Sequence, residues 1–344
     1  MTALKRLRID STMIQGAVSC LQGPEWIQPW RLPYADLALY PPEDGLGARA
    51  AMAAGVRLRV STDSRCLGVS MVAGSAPVPV DLTCGEALLS SAVVASGRDR
   101  VLFEGLPEGD KVVEVWFGQT SVVKLCDLLI EEGASLSVPR DGRRRWVTYG
   151  SSISHCGGAG SPARTWPAIA ARRRDLHLTC LGYGGQCHIE PMLARLIRDL
   201  PADVISLKLG INVQGGASLS ARTLVSAVVG MVTIIRERHP EVPMAVISPI
   251  VSPPRETVPN AVGLSLQRVR EAVAEAVRRL QDCGDSRVHY VDGLSLFDAA
   301  WVDACLPDQL HPNAEGYERL GERFVERVID PIFLADSSGP TRPA

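Results

Sequence analysis

No stretch of 18 apolar residues occurs in the 344-residue chain, so no membrane-spanning helix is expected. Lysine is scarce: only Lys5, Lys111, Lys124 and Lys208 stand among the 36 basic residues, and the remainder are arginine. Such a bias reflects a GC-rich genome and says little about function. The 36 basic residues face 38 acidic ones, a net charge of −2, so the basic surplus of a general nucleic-acid binder is missing. Nine cysteines are scattered without a CxxC pair, which excludes a zinc ribbon and a disulfide framework and favours reduced thiols. The opening MTALKRLRID turns polar by its fifth residue and has no apolar segment of secretion-signal type. A cytoplasmic protein with no membrane or nucleic-acid partner is therefore expected. What the chain does have is 46% hydrophobic residues, enough for one large or two ordinary domains with real cores.

The two halves carry different periodicities. Between about residues 56 and 138 apolar residues alternate in short runs, at 56–60 (VRLRV), 67–71 (LGVSM) and 112–117 (VVEVWF), separated by turns at 74–77 (GSAP) and 107–110 (PEGD). Short strands at this spacing predict an antiparallel β-sandwich, jelly-roll-like, with only 48–54 reading as helix. From 146 onward, strands at 146–150, 178–183, 204–210, 244–250 and 288–292 alternate with helices at 162–173, 190–200, 219–238, 261–283 and 314–329. Pro331 reads as the stop of the last helix. The alternation predicts a three-layer α/β/α domain with a five-stranded parallel sheet, whose ligands collect beyond the carboxyl ends of the strands. The segment 137–145 (SVPRDGRRR) reads as a linker. It gives an accessory sandwich domain over 1–140 that shapes or binds substrate, a catalytic domain over 141–335 and a flexible tail over 336–344. The arginine triplets 143–145 and 172–174 read as solvated faces rather than anion sites.

Four strand ends hold small or polar residues that do not suit a strand core: 150–154 (GSSIS), 181–186 (LGYGGQ), 210–212 (GIN) and 308–313 (DQLHPN). Singly, each reads as a helix cap or a turn. In this order they resemble the SGNH branch of the GDSL hydrolases, named for a Ser, a Gly, an Asn and a His in four blocks. The resemblance spans about residues 146–333 and implies a flavodoxin-like α/β fold. It implies Ser152 as nucleophile, Asp308 and His311 as its D-x-x-H partners, and an oxyanion hole formed by Ser152, Gly185 and Asn212. Three positions depart from the family pattern. Ser151 stands where Asp usually precedes the nucleophile, Gly184 where a Ser precedes the glycine, and Val213 where Asp often follows the asparagine.

The chemistry of these residue types agrees. A serine hydroxyl is a poor nucleophile at neutral pH and needs a base in reach. Asp308 and His311, three apart, fall on one face of a tight turn, where the carboxylate can fix the imidazole tautomer. Glycine at 185 permits a positive φ. Competing motifs fit less well: position 154 is Ser, so the G-x-S-x-G elbow is broken, and 157–160 (GGAG) lacks the GK[ST] of a phosphate loop. Adjacent Cys187 and His188 point apart and have no second pair, so no metal is expected. His155 reads equally as a pocket residue or a loop histidine. Trp166 and Tyr183 are further pocket candidates, although Trp166 suits a core position as well.

A sandwich ahead of such a domain resembles two groups. One comprises carbohydrate esterases that deacetylate sugars outside the cell. The other is a small set of acyltransferases of natural-product pathways, those of tetracycline-type polyketides among them. The expected function is serine acyl transfer through an acyl-serine, from acyl-CoA as co-substrate to a small-molecule alcohol acceptor, with no bound cofactor. The alternatives are a small-molecule or carbohydrate ester hydrolase and a non-catalytic binding protein. The intact Ser152, Asp308 and His311 weigh against the last. A transferase needs a closed, largely apolar site, for which Leu181, Tyr183, Trp166 and the 250–254 loop are the expected walls. Oligomeric state has no signature in the sequence.

Overall fold

The structure, a computed structural model, describes residues 3–335, apart from the side chains of Glu43 and Asp44. The expected tail over 336–344 lies outside the described residues. Among these, the strands from Leu4–Arg8 to Leu136–Ser137 form two six-stranded sheets, antiparallel throughout. The first orders Ser19–Gln22, Ile27–Trp30, Leu125–Glu131, Cys66–Met71 and Arg100–Glu104, with Leu4–Arg8 beside Leu125–Glu131. The second orders Leu136–Ser137, Arg57–Thr62, Lys111–Phe117, Val78–Cys84 and Ala87–Val94, with Ile14–Gln15 beside Arg57–Thr62. Period-2 alternation sets their faces: Arg100–Glu104 buries Val101 and Phe103 and exposes Arg100, Leu102 and Glu104. Leu58, Val60, Leu67, Val69, Val113, Val115 and Leu128 meet in the core between the sheets. Each such side chain contributes about 1.5–3 kcal/mol by leaving water.

The second half holds a five-stranded parallel sheet in the order His177–Gly182, Arg145–Gly150, Val204–Lys208, Met244–Ile247, Val288–Val291. Val204–Lys208 and Met244–Ile247 are buried at every position because helices cover both faces. Pro191–Asp199, Ala221–Arg236 and Leu266–Asp282 lie on one face, and Trp166–Arg173 with Ala314–Phe324 on the other. Pro191–Asp199 starts with its proline at the first helical turn and turns Leu193, Ala194, Leu196 and Ile197 inward at helical spacing. No described helix is long and apolar enough to cross a membrane.

Several boundaries differ from the sequence expectation. The helix expected from 261 begins at Leu266, where the Arg268 N–H donates to Ser265 Oγ and caps it. The stretch 162–173 breaks at Thr165, which caps Trp166–Arg173 and leaves Pro162–Arg164 as a separate 3₁₀ turn. Strands expected to reach 210 and 250 stop at Lys208 and Ile247, and the residues beyond become loops. Pro331 does not end the last helix. It lies inside a π-type continuation, Val325–Phe333, whose wider turn (Leu334 N–H to Ile329 C=O, 2.9 Å) relieves the ring's clash with the preceding carbonyls.

The halves meet through buried polar contacts. Arg31, wholly buried, donates to the carbonyls of Met52 (2.7 Å), Gly182 (2.6 Å), Cys180 (3.2 Å) and Arg49, and lies over the Tyr183 ring. Arg57 donates to Leu178 C=O (3.0 Å) while pairing with Glu114. Trp116 stays paired in its strand but turns its side chain into the core around Trp146, Trp166 and Phe324. In the arginine triplets Arg145, Arg173 and Arg174 are exposed, as a solvated face requires, and pair with acids there, whereas Arg143, Arg144 and Arg172 are half-buried. Arg143 bridges Glu114 and Asp141, Arg145 pairs with Asp203, Arg172 caps Ala163 C=O, and Arg173 and Arg174 pair with Glu322 and Asp330. Arg144 and Arg172 find carbonyls instead, Arg144 that of Phe333 and Arg172 those of Ala163 and Glu86.

Candidate active site

The sheet order places the second strand on one side of the first and the third on the other, so the crevice at this reversal opens at their carboxyl ends. The first strand ends at Gly150, and Ser151 caps the four-residue helix Ser152–His155 by accepting the Ile153 N–H. The capping role falls to Ser151, so the Ser152 hydroxyl is free for another partner. That partner is His311: Ser152 Oγ lies 2.8 Å from His311 Nε2, and His311 Nδ1 lies 2.6 Å from Asp308 Oδ2.

The turn carrying His311 is built by Asp308 itself. Its Oδ1 accepts the backbone N–H groups of His311 (2.7 Å) and Leu310 (3.0 Å), with Gln309 in left-handed backbone at φ 60°. Burial raises the pKa of the Asp308 carboxyl, but these N–H bonds and the His311 ring outweigh it and hold it at about 2. A carboxylate ionised at neutral pH therefore faces Nδ1, which fixes the proton there and leaves Nε2 as the acceptor for the serine hydroxyl.

Gly185 and Asn212 complete the crevice. Gly185 sits at φ 75°, and a Cβ there would meet nothing within 4 Å, so conformation rather than space demands glycine. Neither the Ser152 nor the Gly185 N–H has a partner among the described residues. Asn212 Oδ1 accepts the Cys187 N–H at 3.0 Å, which identifies the other end of the amide, Nδ2, as the donor left for the cavity. Ser152, Gly185 and Asn212 thus line one cavity, each with an N–H donor that has no partner among the described residues.

These groups line a cavity of about 420 Å³ that also includes Arg49, Thr120, His155, Gly184 and Arg255. His155 is a wall residue, not a base: its Nε2–H donates to Gln119 C=O (2.7 Å), and burial followed by the Arg31 charge lowers its pKa to about 3. Two expected pocket residues are elsewhere. Trp166 is buried among Trp146 and Phe324 with its indole N–H on Ile153 C=O. Tyr183 is wholly buried with its hydroxyl on Arg31 C=O, since the chain turns outward only after it. Leu181 is core as well, so the closed apolar walls expected of a transferase are not formed by these residues. The His311 and Asp308 side chains are 38% and 54% exposed.

Sequence reasoning missed Arg49, Thr120 and Arg255, which no motif marks and which the fold alone brings to the cavity. His188, which the sequence reads as structural rather than as half of a metal pair, lies with its ring against Ser218 Oγ (2.7 Å) and Gly185 C=O (3.1 Å) and braces the glycine turn. The adjacency of Cys187 to His188 and their one-residue offset from the second block were the available signals.

Comparison with known proteins now bears on this geometry. Residues 143–330 match the GDSL-like Lipase/Acylhydrolase family, and residues 12–126 match the N-terminal domain of SsfX3. The curated proteins contain no match by sequence. Among solved structures, the salicylyl-acyltransferase SsfX3 from a tetracycline biosynthetic pathway superposes with a TM-score of 0.87 at 34% identity, over 95% of this chain and 97% of that one. A GDSL-like lipase of Bacteroides ovatus (0.76, 18%, 97% and 98%) and a family two carbohydrate esterase from Cellvibrio japonicus (0.63, 14%, 97% and 100%) share the fold. With more than half its length matched by the family and its whole fold shared with the acyltransferase, the chain belongs to the GDSL-like lipase/acylhydrolase family and is an enzyme of acyl transfer or ester hydrolysis.

Proposed function

We propose that this enzyme works through an acyl-serine on Ser152, taking the acyl group from a thioester such as acyl-CoA and delivering it to a hydroxyl of a small organic acceptor. The observation that carries this reading is the continuous line Ser152 Oγ, His311 Nε2, His311 Nδ1, Asp308 Oδ2, with contacts of 2.8 and 2.6 Å. Oγ attacks the acyl carbonyl as His311 Nε2 takes its proton, and Asp308 stabilises the imidazolium. The Ser152 and Gly185 N–H groups and Asn212 Nδ2 hold the oxyanion, each worth about 3 kcal/mol of barrier. The imidazolium then protonates the leaving thiolate. In the second half the acceptor hydroxyl gives its proton to Nε2, attacks the acyl carbonyl and releases Ser152.

The 34% identity to a salicylyl-acyltransferase of a tetracycline pathway favours an aromatic acyl group and a polycyclic polyketide acceptor, hence a role in antibiotic biosynthesis. Acyl-CoA as donor favours action in the cytoplasm. The second reading, hydrolysis, is favoured by the open setting of His311 and Asp308, which admits water to the acyl-serine. Exposure to benzoyl-CoA, followed by mass spectrometry of the intact protein, should reveal a benzoyl adduct that Ser152→Ala abolishes. Adding a polycyclic phenol should then yield ester faster than benzoate. Benzoate as the dominant product with every alcohol offered would leave the hydrolase.

A further inference from the structure

The cavity has a one-sided charge. Arg49 and Arg255 both line it, and no aspartate or glutamate does. His155 adds no positive charge, since burial keeps it neutral. Neither arginine has a carboxylate partner among the described residues: Arg49 Nη1 reaches Met52 Sδ at 3.8 Å, and Arg255 Nη1 donates to Ser252 Oγ at 3.0 Å. This sets them apart from Arg143, Arg145, Arg173 and Arg174, each held by an acid.

The Arg49 backbone is fixed while its side chain is exposed, and the Arg255 guanidinium is anchored. The Arg49 carbonyl is held by buried Arg31, and Ser252 Oγ, which accepts from Arg255, donates in turn to Gln309 C=O at 2.7 Å, in the turn that carries His311. Arg255 therefore stands on the His311 side of the cavity and Arg49 on the Gly184 side. The absent side chain of Gly184 matters here. A Cβ on Gly184 would lie 3.7 Å from Arg49 Nε and 3.7 Å from Ser152 Cβ, so one open point touches both the guanidinium and the nucleophile's residue.

We infer that the cavity selects substrates carrying an anionic oxygen group, a carboxylate or a phosphate, held by the forked N–H donors of Arg49 and Arg255 while the ester carbonyl lies at Ser152. A guanidinium matches such groups with two parallel hydrogen bonds, and two uncompensated guanidinia in one concave site attract an anion more strongly than either alone. The same chemistry has two sources under the acyl-transfer reading on which this inference rests: the phosphates of a thioester carrier or a carboxylate of the acceptor. The contacts are partly solvated, so the selection weakens as salt rises.

Matched pairs of substrates test it. The ratio of kcat/KM for 4-acetoxybenzoate over 4-acetoxybenzamide reads the alcohol side, and that for benzoyl-CoA over benzoyl-N-acetylcysteamine reads the donor side. In at least one pair the ratio should be about tenfold or more at low salt, shrink in 0.5 M NaCl, and fall about tenfold in Arg49→Gln or Arg255→Gln. The pair that responds names the source. Gly184→Ala, whose Cβ would sit at ordinary contact distance, should lower the same ratio by narrowing the point between Arg49 and Ser152. Ratios near one in the wild type, or unchanged in both arginine variants, overturn the inference while Ser152-dependent turnover keeps the acyl-transfer reading. Should no ester or thioester be turned over, that reading falls instead, and calorimetric binding still decides the charge preference. Benzoate should bind at least tenfold more tightly than benzamide and lose that margin in Arg49→Gln, and equal binding overturns the inference.

Discussion

At the scale of single residues, the mechanism makes unequal demands. Ser152→Ala and His311→Ala should each remove about 10⁵-fold or more of kcat on an activated ester, and the double variant should be little worse, because such groups act as a unit. Asp308→Ala should cost less, since it orients the ring rather than moving the proton. Asn212→Ala should lower kcat by about 10²-fold with KM nearly unchanged, as oxyanion contacts strengthen only in the transition state. A pure KM effect would assign Asn212 to ground-state binding. His155 makes a prediction of another kind. Its folded pKa of about 3 lies below the ordinary 6.5, so the unfolded chain takes up a proton that the folded chain refuses. Stability is therefore full above about pH 6.5 and is lost as pH falls toward 3, by about 2 kcal/mol between pH 7 and 5. Thermal melts across that range should show an acid limb, and His155→Gln, which keeps a donor for Gln119 C=O, should flatten part of it. His177, lowered to about 4, contributes with the same sign. The proposed proton path was legible in the sequence because each block is a local pattern at a strand end. The fate of His155 and Tyr183 was not, because their partners, the Gln119 and Arg31 carbonyls, lie across the domain contact, whereas Trp166 takes the core position its sequence also suited.

At the scale of elements, the strands of the parallel sheet were legible as apolar runs, since covering both faces leaves no polar alternation. Their ends were not, because Leu209, Gly210 and Pro249–Val251 are as apolar as a strand yet leave the sheet to form the loops of the site. Helix starts moved wherever a side-chain oxygen found an N–H three residues on, as at Thr165 and Ser265. The Gly185 turn is the element on which the proposed oxyanion geometry depends. Gly185→Ala places a Cβ into empty space but forces an L-residue to φ 75°, at a cost of about 1–2 kcal/mol. We expect a small drop in melting temperature and a larger drop in kcat as the turn relaxes. Wild-type kcat with a lowered melting temperature would mean that the Gly185 N–H is no part of the oxyanion site.

At the scale of the whole molecule, the antiparallel half was legible as β, but its hold on the other half was not. Arg31 and Arg57 are isolated arginines in the sequence, and nothing local says that their donors reach Cys180, Gly182 and Leu178. Arg31→Met should cost about 3 kcal/mol or more, because it strands buried carbonyls without donors. Chemical denaturation should show that loss. A fragment starting near residue 141 should expose the face that Trp116 covers and bind a hydrophobic dye or precipitate. A soluble, fully active fragment with unchanged substrate preference would show the antiparallel half to be dispensable.

The two-sided origin of the cavity has a consequence for descent and for engineering. Arg49 and Thr120 reach it from the antiparallel half, whereas Ser152, Asp308 and His311 reach it from the parallel half. Part of the cavity wall and the proposed proton path are thus written in different stretches of chain, joined by the Arg31 and His155 contacts, while Arg255 adds to the wall from the parallel half. Drift around residues 49 and 120 can change the clientele of the enzyme while its proton path stays fixed. A chimaera that exchanges the first half between family members would keep the proton path and the Arg255 side of the cavity from one parent and take the wall around residues 49 and 120 from the other, provided that an arginine remains at position 31.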